Sequence, residues 1–257
     1  MSVPQTSKLI SFPFDLYPPE PLWEDYDSSL VILILQGFGI DKSEYTALAT
    51  ELNRHQFWVI VPNCYPVGRD YLCPENNSAN QVITALQYSA SQPFYQAIQR
   101  GVILLGHSAG GMAALGTLND HSSDLFSQLM AIATYGSNAP FNISPSSSIP
   151  VMMLSGEKDS VVSTDLTRAA FQRIPIAKTF IELTGLNHYS INNSPHPMGA
   201  PPEENQADLS NQDSVRFIAC LLTSFVQSVK SQNENWLSSL DNDIVRAIAY
   251  HESIWTN

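Results

Sequence analysis

Residues 101–116, GVILLGHSAGGMAALG, place a serine between an apolar run and a series of small residues. Ser108 has a glycine two positions before it and another two positions after it, at Gly106 and Gly110. A sharp turn from a strand into a helix strains the backbone of its central residue and brings the flanking positions against neighbouring backbone, so glycine is needed there. The stretch therefore predicts a turn that displays the Ser108 hydroxyl at the edge of a sheet. The alternative is an ordinary strand-to-helix turn that contains a serine.

The rest of the chain repeats the alternation of apolar runs and helical segments. The helical period and capping residues predict helices over residues 41–55, 77–100 (with a break at Pro93) and 210–229. The apolar runs are nearly continuous, as in strands that are buried on both faces of a parallel sheet. This order predicts an α/β fold: a doubly wound, mostly parallel sheet with helices on both faces. The predicted strands are residues 30–35, 57–62, 101–106, 129–135, 151–156 and 179–184.

The length of 257 residues suits one domain over residues 1–257. Apolar residues of the tail, from Trp236 to Trp255, predict a C-terminal helical extension at about residues 232–257. That helix either docks on the domain, which we favour, or serves to form a homo-oligomer. The Pro-rich pieces 13–21 and 195–202 predict surface loops.

Composition and charge exclude several classes of partner. A formal net charge of −12, with no cluster of Lys or Arg, argues against nucleic acid and against an anionic membrane. The longest apolar run, Leu30–Leu35, is too short to insert stably into a membrane, and the N-terminus lacks a signal-peptide pattern, so we expect a cytoplasmic protein. Neither a metal nor a cofactor motif is present in the sequence.

The cysteine count predicts no disulfide framework. The chain has three cysteines, and an odd, small number does not suggest paired bridges. Cys64 and Cys73 are close enough in sequence to pair, although nothing requires that they do.

The segment GHSAGG after a buried strand resembles the nucleophile elbow of the α/β-hydrolase fold, and the resemblance covers roughly residues 28–230. In that family the chain order is nucleophile, acid, histidine. The acid that this order implies is Asp159, which fits a Gly-x-x-Asp-x-Val pattern after the strand 151–156. Glu157 and Asp165 are the alternatives. We expect the first to face solvent and the second to lie in the first turn of a helix.

The resemblance implies that the base is His188, in the loop beyond the last predicted strand. His196 is its rival, in the Pro-rich loop, while His107 adjoins the serine but should point the wrong way. A serine hydroxyl needs such a base, because it is a poor nucleophile until its proton is removed.

Two backbone N–H groups are expected to form the oxyanion hole: that of Ala109, after the nucleophile, and that of Phe38, after the strand 30–35. The family often has His-Gly before the second donor, whereas this chain has Gln36-Gly37, which removes a residue that usually braces the loop. The alternative is a plain glycine-rich turn.

The segment between the strands 129–135 and 151–156 is too short for a helical cap. We therefore expect an open site, similar to cutinase-like, dienelactone-hydrolase-like and chlorophyllase-like members. Its walls would include Gly37, Ile40 and Tyr135.

Together these residues predict a serine hydrolase that cleaves a carboxylic ester, either a small molecule or a lipid-like one, through an acyl-enzyme. A thioesterase, an amidase or an acyltransferase would use the same three side chains. A ligand-binding protein without catalysis is the remaining class, and it usually lacks one member of the set.

Overall fold

The computed structural model describes residues 14–19, 29–62, 66–67, 70–71, 92–119, 128–145 and 148–255. The strands in these residues are β1 (Phe14–Tyr17), β2 (Val31–Leu35), β3 (Trp58–Pro62), β4 (Pro66–Val67), β5 (Asp70–Tyr71), β6 (Val102–His107), β7 (Leu129–Tyr135), β8 (Val151–Gly156), β9 (Lys178–Leu183) and β10 (Ile248–Ile254). The α-helices are α1 (Thr46–Arg54), α2 (Gln92–Arg100), α3 (Ala109–Gly116), α4 (Thr164–Gln172), α5 (Asn211–Ser231) and α6 (Asn242–Arg246). Short 3-10 turns occupy Lys42–Tyr45, Thr117–Asn119 and Trp236–Ser239.

Eight of the strands form one sheet in the order β1-β3-β2-β6-β7-β8-β9-β10. The six inner strands, from β3 to β9, pair in parallel, and the two outer strands pair antiparallel with their neighbours. The strand order reverses at β2, which has β3 on one side and β6 on the other. In open sheets of this type, ligands bind beyond the carboxyl ends of the strands at such a reversal.

The core lies on both faces of this sheet, because successive side chains of a strand point to opposite faces. In β2, Ile32 and Ile34 belong to a buried cluster that also contains residues of α1 and α5. Leu33 and Leu35 belong to a second cluster, with residues of α2, α3 and α4. The structure therefore confirms an α/β fold with a mostly parallel sheet and helices on both of its faces.

The six strands predicted from the apolar runs are all present, with ends that shift by a residue at most. Of the predicted helix 77–100, only the part from Gln92 onward is described, and it is helical. Residues 136–145 and 148–150, between β7 and β8, contain no helix. Cys64 and Cys73 lie outside the described residues, so their pairing stays open.

Two predictions at the edges of the sheet were wrong. Residues 14–17 form an edge strand with β3 rather than a loop. The tail does not form one helix: the 3-10 turn at Trp236–Ser239 and the short helix α6 are followed by β10, which pairs with β9. Without this tail, β9 would present a row of unpaired N–H and C=O groups at the edge of the sheet. None of the described helices is both long and apolar enough to cross a membrane.

Trp236 anchors the start of the tail and gives a first test of this arrangement. Its side chain is 2% exposed, and its ring lies 6.0 Å from that of Phe225 in α5. We expect Trp236→Ala to lower the free energy of unfolding by about 3–5 kcal/mol, because it leaves a large cavity. The exposed Ser238→Ala should change it by less than about 0.5 kcal/mol. Urea unfolding measures both; equal values for the two variants would contradict a docked tail.

Candidate active site

The turn between β6 and α3 places Ser108 in a strained conformation, with φ 52° and ψ −118°. Glycines on either side make this turn possible. A Cβ on Gly106 would lie 2.4 Å from the carbonyl oxygen of Gly110, and a Cβ on Gly110 would lie 2.2 Å from that of Leu35. Both obstacles are backbone atoms that have no freedom to rotate away. The structure thus confirms the sharp turn that the glycine spacing predicted, and the Ser108 side chain is partly exposed.

Hydrogen bonds to the backbone of Ser108 hold the strained turn. Its N–H donates to the carbonyl of Tyr135 at 2.9 Å. Its own carbonyl accepts from the N–H groups of Gly111 and Met112, at 2.9 and 3.1 Å, and from the hydroxyl of Ser137, at 2.9 Å. The serine is therefore fixed both to its own helix and to the end of the neighbouring strand β7.

Asp159 and His188 form a buried pair. His188 Nδ1 donates to Asp159 Oδ2 at 2.7 Å, and the two side chains are 2% and 0% exposed, respectively. The other carboxylate oxygen accepts from the N–H groups of Val161 and Val162, at 3.0 and 2.7 Å. Both oxygens are thus held by donors, which fixes the orientation of the carboxylate. An imidazole that carries a single proton, on Nδ1, has Nε2 as a proton acceptor.

The serine and the buried pair meet at the carboxyl end of β7. Tyr135 holds the N–H of Ser108, and the next residue, Gly136, has a φ of 55°. A Cβ on Gly136 would lie 2.7 Å from Asp159 Oδ2 and 2.9 Å from His188 Nδ1. Among the described residues, no hydrogen bond joins the Ser108 hydroxyl to His188. Catalytic hydrogen bonds of this kind are often longer in the absence of substrate.

In the part of the chain that the structure describes, Glu157, Asp165 and His196 have no hydrogen bond to this pair. Glu157 is exposed, and its carboxylate accepts a hydrogen bond from the backbone N–H of Gly185, two residues after β9. Asp165 is exposed in the first turn of α4, as expected, and His196 is exposed in its loop. Of the acids weighed from the sequence, only Asp159 is hydrogen-bonded to the ring of His188.

The two expected oxyanion donors lie in the segments that follow two neighbouring strands, β2 and β6. Leu35 at the end of β2 lies opposite Gly106 of β6, so the loops that follow these strands run side by side. Ala109 is the first residue of α3, where a backbone N–H has no acceptor within the helix. Phe38 lies in a turn that is closed by the N–H of Ile40 and the carbonyl of Gly37, at 3.2 Å.

The expected wall residues differ from the prediction in their exposure. Ile40 and Tyr135 are only 1% and 0% exposed, whereas Phe38, which supplies an expected oxyanion donor, is 51% exposed. The hydroxyl of Tyr135 donates to the carbonyl of Asn187 at 2.6 Å. Ile40 and Tyr135 therefore support the site from within the core and do not present an open wall. Gly37 is also buried.

His107 adjoins Ser108 in the sequence, and its ring has partners in two other parts of the site. Its Nε2 lies 3.0 Å from the carbonyl of His188, and its Nδ1 lies 2.8 Å from the hydroxyl of Tyr45. That hydroxyl in turn accepts from the N–H of Gly37 at 2.8 Å. Burial lowers the pKa of His107 well below the usual imidazole range, and the nearby His188 lowers it further. The imidazole is therefore neutral.

Glu203, in the loop that follows His188, bridges His188 and the turn after Asp159. Its Oε2 accepts from the backbone N–H of His188 at 3.1 Å and from that of Ser160 at 3.2 Å. Its Oε1 accepts from the hydroxyl of Ser160 and from the N–H of Asn205, the latter at 2.9 Å. The carboxylate thus joins the turn that begins at Asp159 to the base itself.

Tyr45, His107 and Glu203 did not emerge from the sequence as site residues. Tyr45 fits the apolar period of its predicted helix, and Glu203 lies in a Pro-rich loop. The position of His107 beside Ser108 was the single available indication. No group of three or more His, Cys, Asp or Glu in the described ranges is arranged to hold a metal ion.

Comparison with known proteins agrees with this geometry. The sequence profile of the Alpha/beta hydrolase family matches residues 31–200, about two thirds of the chain. The matched range begins at β2 and includes the turn at Ser108 together with the pair Asp159 and His188. No curated protein matches the chain in sequence.

The buried neutral His107 makes stability depend on pH. The unfolded chain takes up a proton on this ring below about pH 6.5, whereas the folded protein, with its lowered pKa, does not. The stabilisation is therefore complete above about pH 6.5 and is lost as the pH falls towards the lowered pKa. We expect the unfolding free energy of the wild type to fall, relative to that of His107→Gln, by up to about 1.4 kcal/mol per pH unit in that range. Urea unfolding at stepped pH measures it; parallel curves would contradict the prediction.

Proposed function

The chain belongs to the alpha/beta hydrolase family, and from that premise we propose that it cleaves carboxylic esters through an acyl-enzyme on Ser108. The observation that carries the proposal is the buried Asp159–His188 pair, which meets the strained turn of Ser108 at the end of β7. A nucleophile, an acid and a base that converge from separate strands are the elements of acyl transfer.

His188 acts as the general base. Its Nε2 accepts the hydroxyl proton while Ser108 Oγ bonds to the ester carbonyl carbon, and the carbonyl oxygen becomes an oxyanion. Asp159 stabilises the resulting imidazolium and keeps the ring in its orientation. The proton then passes from Nε2 to the alkoxy oxygen, the bond between that oxygen and the carbonyl carbon breaks, and the alcohol leaves. Water, activated by the same ring, hydrolyses the acyl-enzyme and returns the proton to Ser108.

The oxyanion would accept hydrogen bonds from the backbone N–H groups of Ala109 and Phe38. Two features support this assignment: the position of Ala109 at the start of α3, and the adjacent exits of the two loops from β2 and β6. Donors that are held in place before the reaction stabilise developing charge without reorganisation.

The proposed substrate is an ester of moderate or large size, either a small molecule or a lipid-like compound. The described residues between β7 and β8 form no helical cap, which favours the open branch of the family, with its cutinase-like, dienelactone-hydrolase-like and chlorophyllase-like members. The side chain of Phe38 is half exposed on the residue whose N–H is a proposed oxyanion donor, and it offers an apolar surface to such a substrate.

Hydrolysis of short-chain and long-chain p-nitrophenyl esters tests the nucleophile. We expect Ser108→Ala to lower kcat by at least about 10³-fold, because no other residue replaces the hydroxyl. Ser238→Ala, an exposed serine of the tail, is the matched control and should leave kcat unchanged. Hydrolysis rates of a thioester and an anilide with the same acyl group show whether the enzyme prefers esters to thioesters and amides. Hydrolysis that persists in Ser108→Ala would contradict the assignment.

Gly136→Ala tests whether the Asp159–His188 pair carries the reaction. The new methyl group would enter the space of that pair, and we expect kcat to fall by about 10²-fold. Gly185→Ala is the matched control: φ is also positive there, at 70°, but the methyl group would meet the side chain of Asp208, which is 61% exposed and can move.

Both substitutions carry the backbone cost of a positive φ, about 1–2 kcal/mol. Only Gly136→Ala should also reduce turnover, so the ratio of the two kcat values isolates the effect on the pair. Equal kcat values in the two variants, measured below their unfolding temperatures, would contradict a catalytic role for Asp159 and His188.

A further inference from the structure

We propose that Tyr45 and His107 are positioning residues that couple the loop of the oxyanion donor to the loop of the base. The proposal rests on the proposed function and adds to it two side chains that are placed to touch neither the substrate nor the reacting atoms. Its basis is a chain of hydrogen bonds that runs from the N–H of Gly37, through Tyr45 and His107, to the carbonyl of His188.

The direction of every hydrogen bond in this chain is determined by its two ends. The carbonyl of His188 can only accept, so Nε2 of His107 carries the proton that it donates. In a neutral ring Nδ1 is then an acceptor, and it accepts from the hydroxyl of Tyr45. The oxygen of that hydroxyl accepts from the N–H of Gly37. All the donors therefore point the same way along the chain.

Burial keeps this arrangement in a single protonation state. Tyr45 and His107 are both 0% exposed. Burial raises the pKa of Tyr45 and lowers that of His107, so both side chains are neutral over the ordinary pH range. Water does not reach these hydrogen bonds to replace a lost partner. The loss of any one of them therefore leaves a buried polar group unsatisfied.

The two ends of the chain lie where the chemistry requires a fixed separation. Gly37 precedes Phe38, the proposed oxyanion donor, and the carbonyl at the other end belongs to His188, the proposed base. His107 itself precedes Ser108, and its ring centre lies 4.8 Å from that of His188. One imidazole thus contacts the base, adjoins the nucleophile and reaches the oxyanion loop through Tyr45.

The surrounding structure holds the Gly37 end of this connection and the backbone that carries Tyr45. A Cβ on Gly37 would lie 2.9 Å from His107 Nδ1 and 2.8 Å from Ile40 Cδ1, so the loop rests directly on the ring. Tyr45 ends the 3-10 turn Lys42–Tyr45, whose start is capped by Asp41: its Oδ1 accepts from the N–H of Ser43 at 2.9 Å. Tyr45 therefore approaches the site from a rigid element.

Three variants test the coupling. Tyr45→Phe removes the hydroxyl and keeps the ring. His107→Leu removes both polar contacts, and His107→Gln keeps a nitrogen donor for the carbonyl of His188 and an oxygen acceptor for Tyr45. Tyr17→Phe is the matched control: it removes a hydroxyl of the edge strand β1 that bonds to Thr46, the neighbour of Tyr45, at 3.3 Å and takes no part in the hydrogen bonds from Gly37 to His188.

Kinetics on a p-nitrophenyl ester separate positioning from a general loss of structure. We expect Tyr45→Phe and His107→Leu each to lower kcat by about 10-fold while KM stays within about twofold, because misplaced donors weaken the transition state more than substrate binding. His107→Gln should recover most of the lost kcat, and Tyr17→Phe should match the wild type. An unchanged kcat in Tyr45→Phe would overturn the proposal. So would a kcat of His107→Gln that is no higher than that of His107→Leu.

The double variant Tyr45→Phe/His107→Leu tests whether the two residues act as one unit. Either substitution breaks the chain, so the double variant should lose no more than about threefold beyond the worse single variant. Independent contributions would multiply instead, to about 100-fold. That multiplication would overturn the coupling.

A measurement without substrate separates this proposal from the proposed function. Nitrogen NMR of the histidine rings should show His107 neutral with its proton on Nε2; a proton on Nδ1, or a charged ring, would overturn the chain. Amide exchange at Gly37 and at His188 should accelerate together, by about 10-fold, in Tyr45→Phe and in His107→Leu. Acceleration at Gly37 alone would refute the coupling even if the wild type hydrolyses no ester. A wild type that shows this exchange pattern but no acyl transfer would refute the proposed function alone.

Discussion

The site depends on a close backbone contact between the start of α3 and the end of β2. At Gly110 there is no space for a side chain, because a Cβ would lie 2.2 Å from the carbonyl oxygen of Leu35 and 2.6 Å from that of Gln36. This contact presses the first turn of α3 against the loop that begins at Gln36. The first turn after Ser108 and the 37–40 loop are consequently held side by side at this edge of the sheet. Any side chain at Gly110 would force the two apart, so the turn and the 37–40 loop form one structural unit.

The parallel sheet brings the other two proposed catalytic residues to the same edge. β8 lies between β7 and β9, and Gly156 lies opposite Leu183 at their carboxyl ends. Asp159 and His188 follow these two ends, so residues that are distant in sequence become neighbours. The carboxylate is fully buried, and burial of a charge is costly unless hydrogen bonds compensate. Two backbone N–H groups of the turn after Asp159 and the imidazole of His188 supply that compensation.

The sequence predicted those parts of the protein that local pattern determines. Continuous apolar runs revealed the six inner strands, and the glycine spacing around Ser108 revealed the turn. The edge strands were missed because β1 and β10 exist through pairing with distant strands; the half-exposed residues of β10 carry no pattern of their own. The same reason hid Tyr45 and Glu203, whose partners are 62 and 15 residues away in the chain, at His107 and His188. Ile40 and Tyr135 were misplaced because position near the site does not reveal which way a side chain turns.

A neutral side chain holds the backbone of His188 on the side of the core, and a charged side chain holds it on the side of the solvent. Electrostatics explains this difference. Its carbonyl accepts from the buried ring of His107, and its N–H donates to the carboxylate of Glu203, which is only partly buried. A charged group on the inner side would carry a large desolvation penalty, whereas a neutral imidazole between two fixed polar partners does not. On the outer side, water still reaches the carboxylate, and its charge strengthens its hydrogen bonds to backbone donors. Because Asp159 holds the ring as well, the base is fixed at its N–H, its carbonyl and its Nδ1, and only Nε2 is left for the proposed chemistry.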